Sequence, residues 1–250
     1  MGQQKIQFNE KKIVFSLQQI KSFLDEENIK YWLNFGTLLG AVRDKKIISW
    51  DNDIDLSVSV SEVNKVLKII PKMSKLGWRV DVTDPAIYFS KNKETLPIGI
   101  SIYRFFEDKA WVFWINKDPR FYAITKHFYR IADKIKYKKY HRKIPFLEKF
   151  LYSLIPSSFH SLTRKVFFKI SYFFGKKDTI LLFPRKMIDN LDQIEFYNMK
   201  FNIPSLVDEY LSLAYDKNWR KSNPFWTYEK ATGINYDFFN HNNRHKYPLF

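Results

Sequence analysis

Three aspartates stand within five positions in the run Ser49-Trp50-Asp51-Asn52-Asp53-Ile54-Asp55, and no other stretch constrains the fold as strongly. From Ile54 to Val60 the side chains alternate with the period of two that a half-buried strand requires. The acids therefore stand where a strand enters a sheet, and they must face an opening. Strand residues two apart point to the same side with about 6.6 Å between their α-carbons, so Asp53 and Asp55 can aim both carboxylates at one ion. Asp51 lies one step further back. Carboxylates this close repel one another, and partial burial raises their pKa unless a cation neutralises them. Hard oxygen ligands favour Mg²⁺ or Mn²⁺ over zinc, and a two-carboxylate site that keeps its waters suits magnesium carried with a phosphate substrate. Taken alone, the same D-x-D is also what a solvated turn before a strand would show.

The flanking pattern places this strand in an α/β context. Ile13, Val14, Leu17, Ile20 and Leu24 recur with helical spacing, and "IKYWLNF" reads as a short buried strand ending at Gly36. "TLLGAV" follows as a helical turn. "SEVNKVLKIIPKMSKLG" supplies a helix with Ser61 as N-cap and Pro71 and Gly77 near its end. "WRVDV", "AIYFSK", "IGISIYRFF" and "AWVFWI" add four strands, so the order predicts a mixed sheet flanked by helices. Near the C-terminus "SLVDEYLSLAYDKN" is a helix capped by Ser205.

The stretch "YWLNFGTLLGAVRDKKIISWDNDIDLSV" closely resembles the signature of the LicD family, in which G-T-L-L-G-A-V-R is followed shortly by I-P-W-D-D-D-I-D. Gly36, Thr37, Leu38, Leu39, Gly40, Ala41, Val42, Arg43, Ile48, Trp50, Asp51, Asp53, Ile54 and Asp55 fall on it in register. "FYNMKFNIPSLVDEYLSLAYDKNW" is similar to the family's closing segment at Pro204, Tyr210, Leu211, Tyr215 and Trp219. The resemblance implies a nucleotidyltransferase-like α+β core in which a glycine turn holds phosphates and paired aspartates hold metal. It implies transfer of phosphocholine, or of ribitol or glycerol phosphate, from a CDP-activated donor to a glycan hydroxyl. On that reading Asp53 and Asp55 hold Mg²⁺ or Mn²⁺, and backbone N–H groups at Gly36 and Thr37 suit phosphate oxygens. Arg43 can clamp the transferring phosphoryl group or pair with Asp44 or Asp51, and Asp51 is either the general base or a structural cap. Trp50 reads as a packing residue that stiffens the loop, with a ligand contact as the alternative.

Four positions depart from the pattern. Ser101 stands where members place a third carboxylate on a later strand, which leaves Glu94 or Asp81, water or donor phosphates to complete the metal shell. Asp44, Ser49 and Asp216 replace a frequent histidine, proline and glycine. Two competing readings remain: a nucleotidyltransferase that adds a nucleoside monophosphate from an NTP, and a catalytically impaired membrane-associated binding protein.

Charge adds a second theme. Of the net +16, +12 falls between Lys126 and Lys177, where 14 Lys or Arg face only Asp133 and Glu148. The same segment carries Phe146, Leu147, Phe150, Leu151, Leu154 and Ile155 on one helical face, and Phe159, Leu162, Val166, Ile170 and Phe173 on another. Basic amphipathic helices fit an anionic membrane interface, as an enzyme with a lipid-linked acceptor needs; the same stripes equally suit packing on the catalytic core with the lysines solvated. No nucleic-acid module is visible. The expected organisation is a catalytic core over 1–125, a basic helical insert over 126–179 and a C-terminal segment over 180–250 that completes the catalytic domain. Absence of cysteine excludes disulfides and thiolate metal sites. No window approaches the roughly 20 apolar residues of a membrane span, so the expected location is cytoplasmic, peripheral on the inner face of the membrane.

Overall fold

The computed structural model describes residues 10–51, 53–82, 86–92, 95–114, 179–226 and 230–235, with Pro156, Phe159, Leu162, Thr163 and Val166 as isolated positions. The basic insert otherwise lies outside the described residues, as does Glu94.

Helix α1 (Glu10–Glu26) turns Leu17, Ile20 and Leu24 into the core, as their spacing demands. It leads into β1 (Tyr31–Leu33), a turn of helix α2 (Phe35–Leu39) continued by a wider π turn over Gly40–Asp44, and β2 (Ile54–Ser59). Helix α3 (Val63–Lys75) buries Val66, Ile69, Ile70 and Met73. It packs beside α1, where the Trp78 indole N–H donates to Gln19 over 3.2 Å and Lys72 reaches Glu26 and Glu27.

Strands β3 (Arg79–Val82), β4 (Ala86–Ser90), β5 (Ile98–Phe106), β6 (Lys109–Trp114), β7 (Thr179–Pro184) and β10 (Ile234–Asn235) join β1 and β2 in one mixed sheet. Its spine runs β1-β2-β5-β6-β7-β10, with β4 and then β3 laid on β5. Only β2 and β5 are parallel, and their register sets Asp55 beside Gly99 and Ser57 beside Ser101. Through β7 the chain after the insert rejoins the sheet next to β6.

A short helix α4 (Lys186–Asp189) leads to a separate hairpin of β8 (Leu191–Phe196) and β9 (Met199–Pro204). At its tip Tyr197 and Asn198 both take positive φ, 51° and 58°, which suits a two-residue turn that follows the strand twist. Asn202 donates to the Tyr31 carbonyl over 3.0 Å, and the Tyr197 hydroxyl accepts the Ile47 N–H over 3.0 Å and donates to Glu10. The hairpin thus grips the loop that carries Trp50 and Asp51.

Two expected caps are not formed. A 3₁₀ turn over Val60–Glu62 precedes α3, and the Ser61 hydroxyl bonds Ser59 instead of a helix N–H. Pro71 lies inside α3 rather than at its end. Helix α5 (Val207–Ala214) starts from Leu206 in the left-handed region, while the Ser205 hydroxyl donates to the Lys186 carbonyl and its N–H to Met187. In both places a nearby acceptor outside the helix claimed the serine.

Candidate active site

The site is built where β1 ends and β2 begins. The Asn34 N–H donates to the Asp55 carbonyl over 3.1 Å, and the Leu38 N–H donates back to Asn34. Between them Phe35 is buried at φ 37°, a conformation that disfavours residues with a Cβ and persists only where surroundings hold it. Holding comes from both sides of the turn. Gly36 N–H donates to Asp55 Oδ2 over 3.0 Å, and the Asp55 N–H donates to Thr37 Oγ1 over 2.9 Å. A Cβ on Gly36 would sit 1.9 Å from Asp51 Oδ2, so glycine is required for the carboxylates to lie against the backbone. In this arrangement the turn's N–H groups hold Asp55.

Behind the turn lies a closed polar network. Asn34 Nδ2 donates to Ser57 Oγ over 2.7 Å and to the Tyr103 hydroxyl over 3.3 Å. Tyr103 meets the Tyr210 hydroxyl at 2.6 Å, and Tyr210 donates to Asn34 Oδ1 at 2.5 Å. All four side chains are buried, and Tyr103 and Tyr210 flank Phe183, which stacks on Tyr210 with centroids 4.3 Å apart. The network ties β1, β2, β5 and α5 together, so the C-terminal helix is registered against the glycine turn. Sequence reasoning missed it. A lone asparagine in the apolar run "YWLNFG" and a tyrosine on the buried face of α5 were the available signals.

Asp51, Asp53 and Asp55 come together, each offering a carboxylate oxygen within 4.8 Å of the others. Burial pushes the Asp55 carboxyl well above the ordinary carboxylate range, and the charges of Asp53 and Asp51 push it further, against the opposing N–H bonds from Gly36 and Thr37. Burial also raises Asp53, opposed by a hydrogen bond with Asp51. Three carboxylates this close, two of them raised by burial, form a donor set suited to a hard divalent metal. Asp51 therefore stands where a third ligand was sought. Asp81 lies on exposed β3 outside this group, and Ser101 sits beside Ser57, one alternating step deeper in the sheet than Gly99.

The acids open into a cavity of about 630 Å³ whose lining includes Gly36, Arg43, Trp50, Asp51 and Asp55 on one side and residues from Ala214 to Trp226 on the other. Arg43 forms a two-pronged pair with Asp44, both bonds 2.8 Å, and reaches the Trp219 carbonyl at 3.4 Å. The paired guanidinium holds Asp44 below its ordinary range. Tyr215, which also lines the cavity, has its phenol raised well above normal by burial and by the charges of Asp55 and Asp51, so it remains a hydrogen-bond donor at any working pH.

The nucleotidyltransferase-domain profile described as LicD/FKTN/FKRP matches residues 28–167. The chain belongs to this family. Among curated proteins, an uncharacterised Rickettsia typhi protein is 39% identical over 75 residues, covering 29% of this chain and 24% of the relative. Human ribitol 5-phosphate transferase FKRP is 45% identical over 40 residues, 16% of this chain and 8% of that protein. The chain thus matches about a quarter or less of the length of these relatives. Among solved structures, the antibiotic-resistance factor ANT(2")-Ia in complex with adenylyl-2"-tobramycin overlaps 62% of this chain and 95% of its own at 15% identity, with a TM-score of 0.32. Among the described residues no helix is long and apolar enough to cross a membrane.

Proposed function

We propose that this LicD-family domain is a metal-dependent phosphotransferase that moves a phosphate-linked alcohol from a CDP-activated donor to a hydroxyl of a cell-surface glycan, releasing CMP. The observation that carries the proposal is the gathering of Asp51, Asp53 and Asp55 within 4.8 Å beside the glycine turn, with Asp51 and Asp55 in the wall of a cavity large enough for a nucleotide donor. A Mg²⁺ or Mn²⁺ ion on Asp53 and Asp55 supplies charge neutralisation for the diphosphate. The chain's own groups do the rest. The acceptor oxygen bonds to the phosphorus that bears the alcohol while that phosphorus loses its bond to the bridging oxygen, which leaves with the electron pair on CMP. Asp51 would be the ion's third ligand through one carboxylate oxygen and would take the acceptor's proton on the other. Tyr215 donates a hydrogen bond to a phosphoryl oxygen, and Arg43, braced by Asp44, lies in the same wall to balance charge. Gly36 and Thr37 keep Asp55 aimed, and the missing Cβ of Gly36 lets Asp51 lie beside it.

Phosphocholine, ribitol phosphate and glycerol phosphate are the candidate cargoes; the match to a ribitol 5-phosphate transferase favours testing CDP-ribitol beside CDP-choline. Among the few described positions of the basic insert, Phe159, Leu162 and Val166 are 55%, 59% and 44% exposed, which supports an apolar stripe free to meet an anionic membrane. The test is a thermal-shift and turnover screen of CDP-choline, CDP-ribitol, CDP-glycerol and NTPs, with and without Mg²⁺. Stabilisation by a CDP compound only with metal, and CMP release abolished by Asp53→Ala, is expected. Stabilisation by an NTP alone, with pyrophosphate released, assigns a nucleotidyltransferase instead.

A further inference from the structure

The cavity wall facing the acids is aromatic, although nothing in phosphoryl transfer demands it. Trp50 stands one residue from Asp51 and is 43% exposed, so an indole face is offered to solvent at the cavity beside the carboxylates. In the same lining Tyr215 and Trp226 pack with ring centroids 4.4 Å apart, and Trp219 is 5% exposed with Arg220 over its ring at 4.2 Å. Asn218 and Ser222 add exposed polar side chains to the same lining. The indole nitrogens of Trp219 and Trp226 are buried and have no hydrogen-bond partner.

We infer that this aromatic lining, Trp50 together with Tyr215, Trp219 and Trp226, is a carbohydrate subsite that seats a pyranose ring of the acceptor; the inference rests on the phosphotransferase reading for what then happens to the sugar. An indole N–H only donates, so what the wall lacks is oxygen acceptors. A buried donor left unmade is unfavourable, and a ligand oxygen within reach of either indole N–H would satisfy it. A quaternary ammonium head is attracted to aromatic faces, but it offers methyl groups and no acceptor and so leaves both indole N–H groups unpaired. A pyranose is ringed by hydroxyls that accept and donate, meeting two indole N–H groups, Asn218 and Ser222 together, while its apolar C–H face lies on Trp50. Stacked there, the ring holds its hydroxyls next to Asp51, where the acceptor's proton must go. A pyrimidine also stacks on aromatic faces, which makes the nucleotide the rival occupant.

The experiment is saturation-transfer NMR on the full chain without metal or CDP donor, using methyl glycosides of common hexoses and N-acetylhexosamines, with CMP and choline chloride as comparators. The expected result is transfer to the ring C–H protons of at least one glycoside, with affinity about tenfold weaker in Trp50→Ala and restored in Trp50→Phe. Transfer confined to CMP or choline overturns the inference, as does silence from every probe, or glycoside binding indifferent to Trp50→Ala. Because neither metal nor CDP donor is present, the outcome is independent of the donor screen.

Discussion

Replacing Asp55 by asparagine should stabilise the metal-free protein and abolish its response to magnesium. Two unit charges 4.8 Å apart, the outer spacing of the three carboxylate oxygens, repel by about 3.5 kcal/mol at an effective dielectric of about 20. Proton uptake relieves part of that, because burial and the neighbouring acids raise Asp55 in the folded state. The penalty expected to remain at neutral pH is about 1–2 kcal/mol, within the usual range for an incompletely compensated buried polar group. Asparagine removes the charge and keeps one oxygen to accept the Gly36 N–H, so melting should rise by about 2–8 °C for a chain of this size. The sign follows from linkage. The folded pKa lies above the unfolded value, so the native state binds more protons, and wild-type stability is fully present below the ordinary carboxylate range and falls as pH rises through the folded value. The advantage of the variant therefore opens with rising pH and closes near about pH 4. Scanning fluorimetry in a chelator measures it. Added Mg²⁺ at about a hundred times its Kd should lift wild type by about 2.7 kcal/mol and leave Asp55→Asn unmoved. A variant that melts below wild type at neutral pH without metal, or that still responds to Mg²⁺, refutes the reasoning.

In wild type the same linkage makes apparent Mg²⁺ affinity grow with pH, since raised Asp53 and Asp55 must release protons to bind it; calorimetry in two buffers of different ionisation heat should read that release. Gly36→Ala places a Cβ 1.9 Å from Asp51 Oδ2 and should cost about 1–3 kcal/mol of stability with loss of the Mg²⁺ shift, both visible in one melt. Tyr210→Phe breaks the bond to Asn34 Oδ1 and should cost about 1–3 kcal/mol by chemical denaturation. If the network only filled space, the loss would be near zero.

Much of the site was legible because it is local in sequence. Asp51, Asp53, Asp55, Gly36 and Arg43 fall within twenty positions, and a period-two strand after a glycine turn fixes where they stand. The mixed sheet and helices followed from the same periodicities. What escaped is assembled from distant parts. Asn34, Ser57, Tyr103 and Tyr210 lie in four separate elements, and only the fold brings their polar atoms within bonding distance. The serine caps failed for the reverse reason: Ser61 and Ser205 have the right chemistry at the right spacing, but Ser59 and the Lys186 carbonyl lie closer.

The third metal ligand illustrates how strand register decides chemistry. A carboxylate at Ser101 would lie beside Ser57, about 6.6 Å further along the sheet than the Gly99 position next to Asp55. Gly99 itself meets the Tyr88 ring, 3.5 Å from where its Cβ would stand, and Tyr88 has its phenol pushed up to about 12 by burial and by Asp53 and Asp55. The β5 side of the acids is thus closed by a neutral aromatic donor. The open side belongs to Asp51, which reaches the group from the loop clamped by Tyr197 and the missing Cβ of Gly36. Negative charge concentrated at one strand entrance, without a third acid from the sheet, leaves the loop as the only adjustable ligand among the described residues. Any substitution that frees that loop should loosen metal before it loosens fold, and Tyr197→Phe, which removes the hydroxyl that accepts the Ile47 N–H, is the sharpest case.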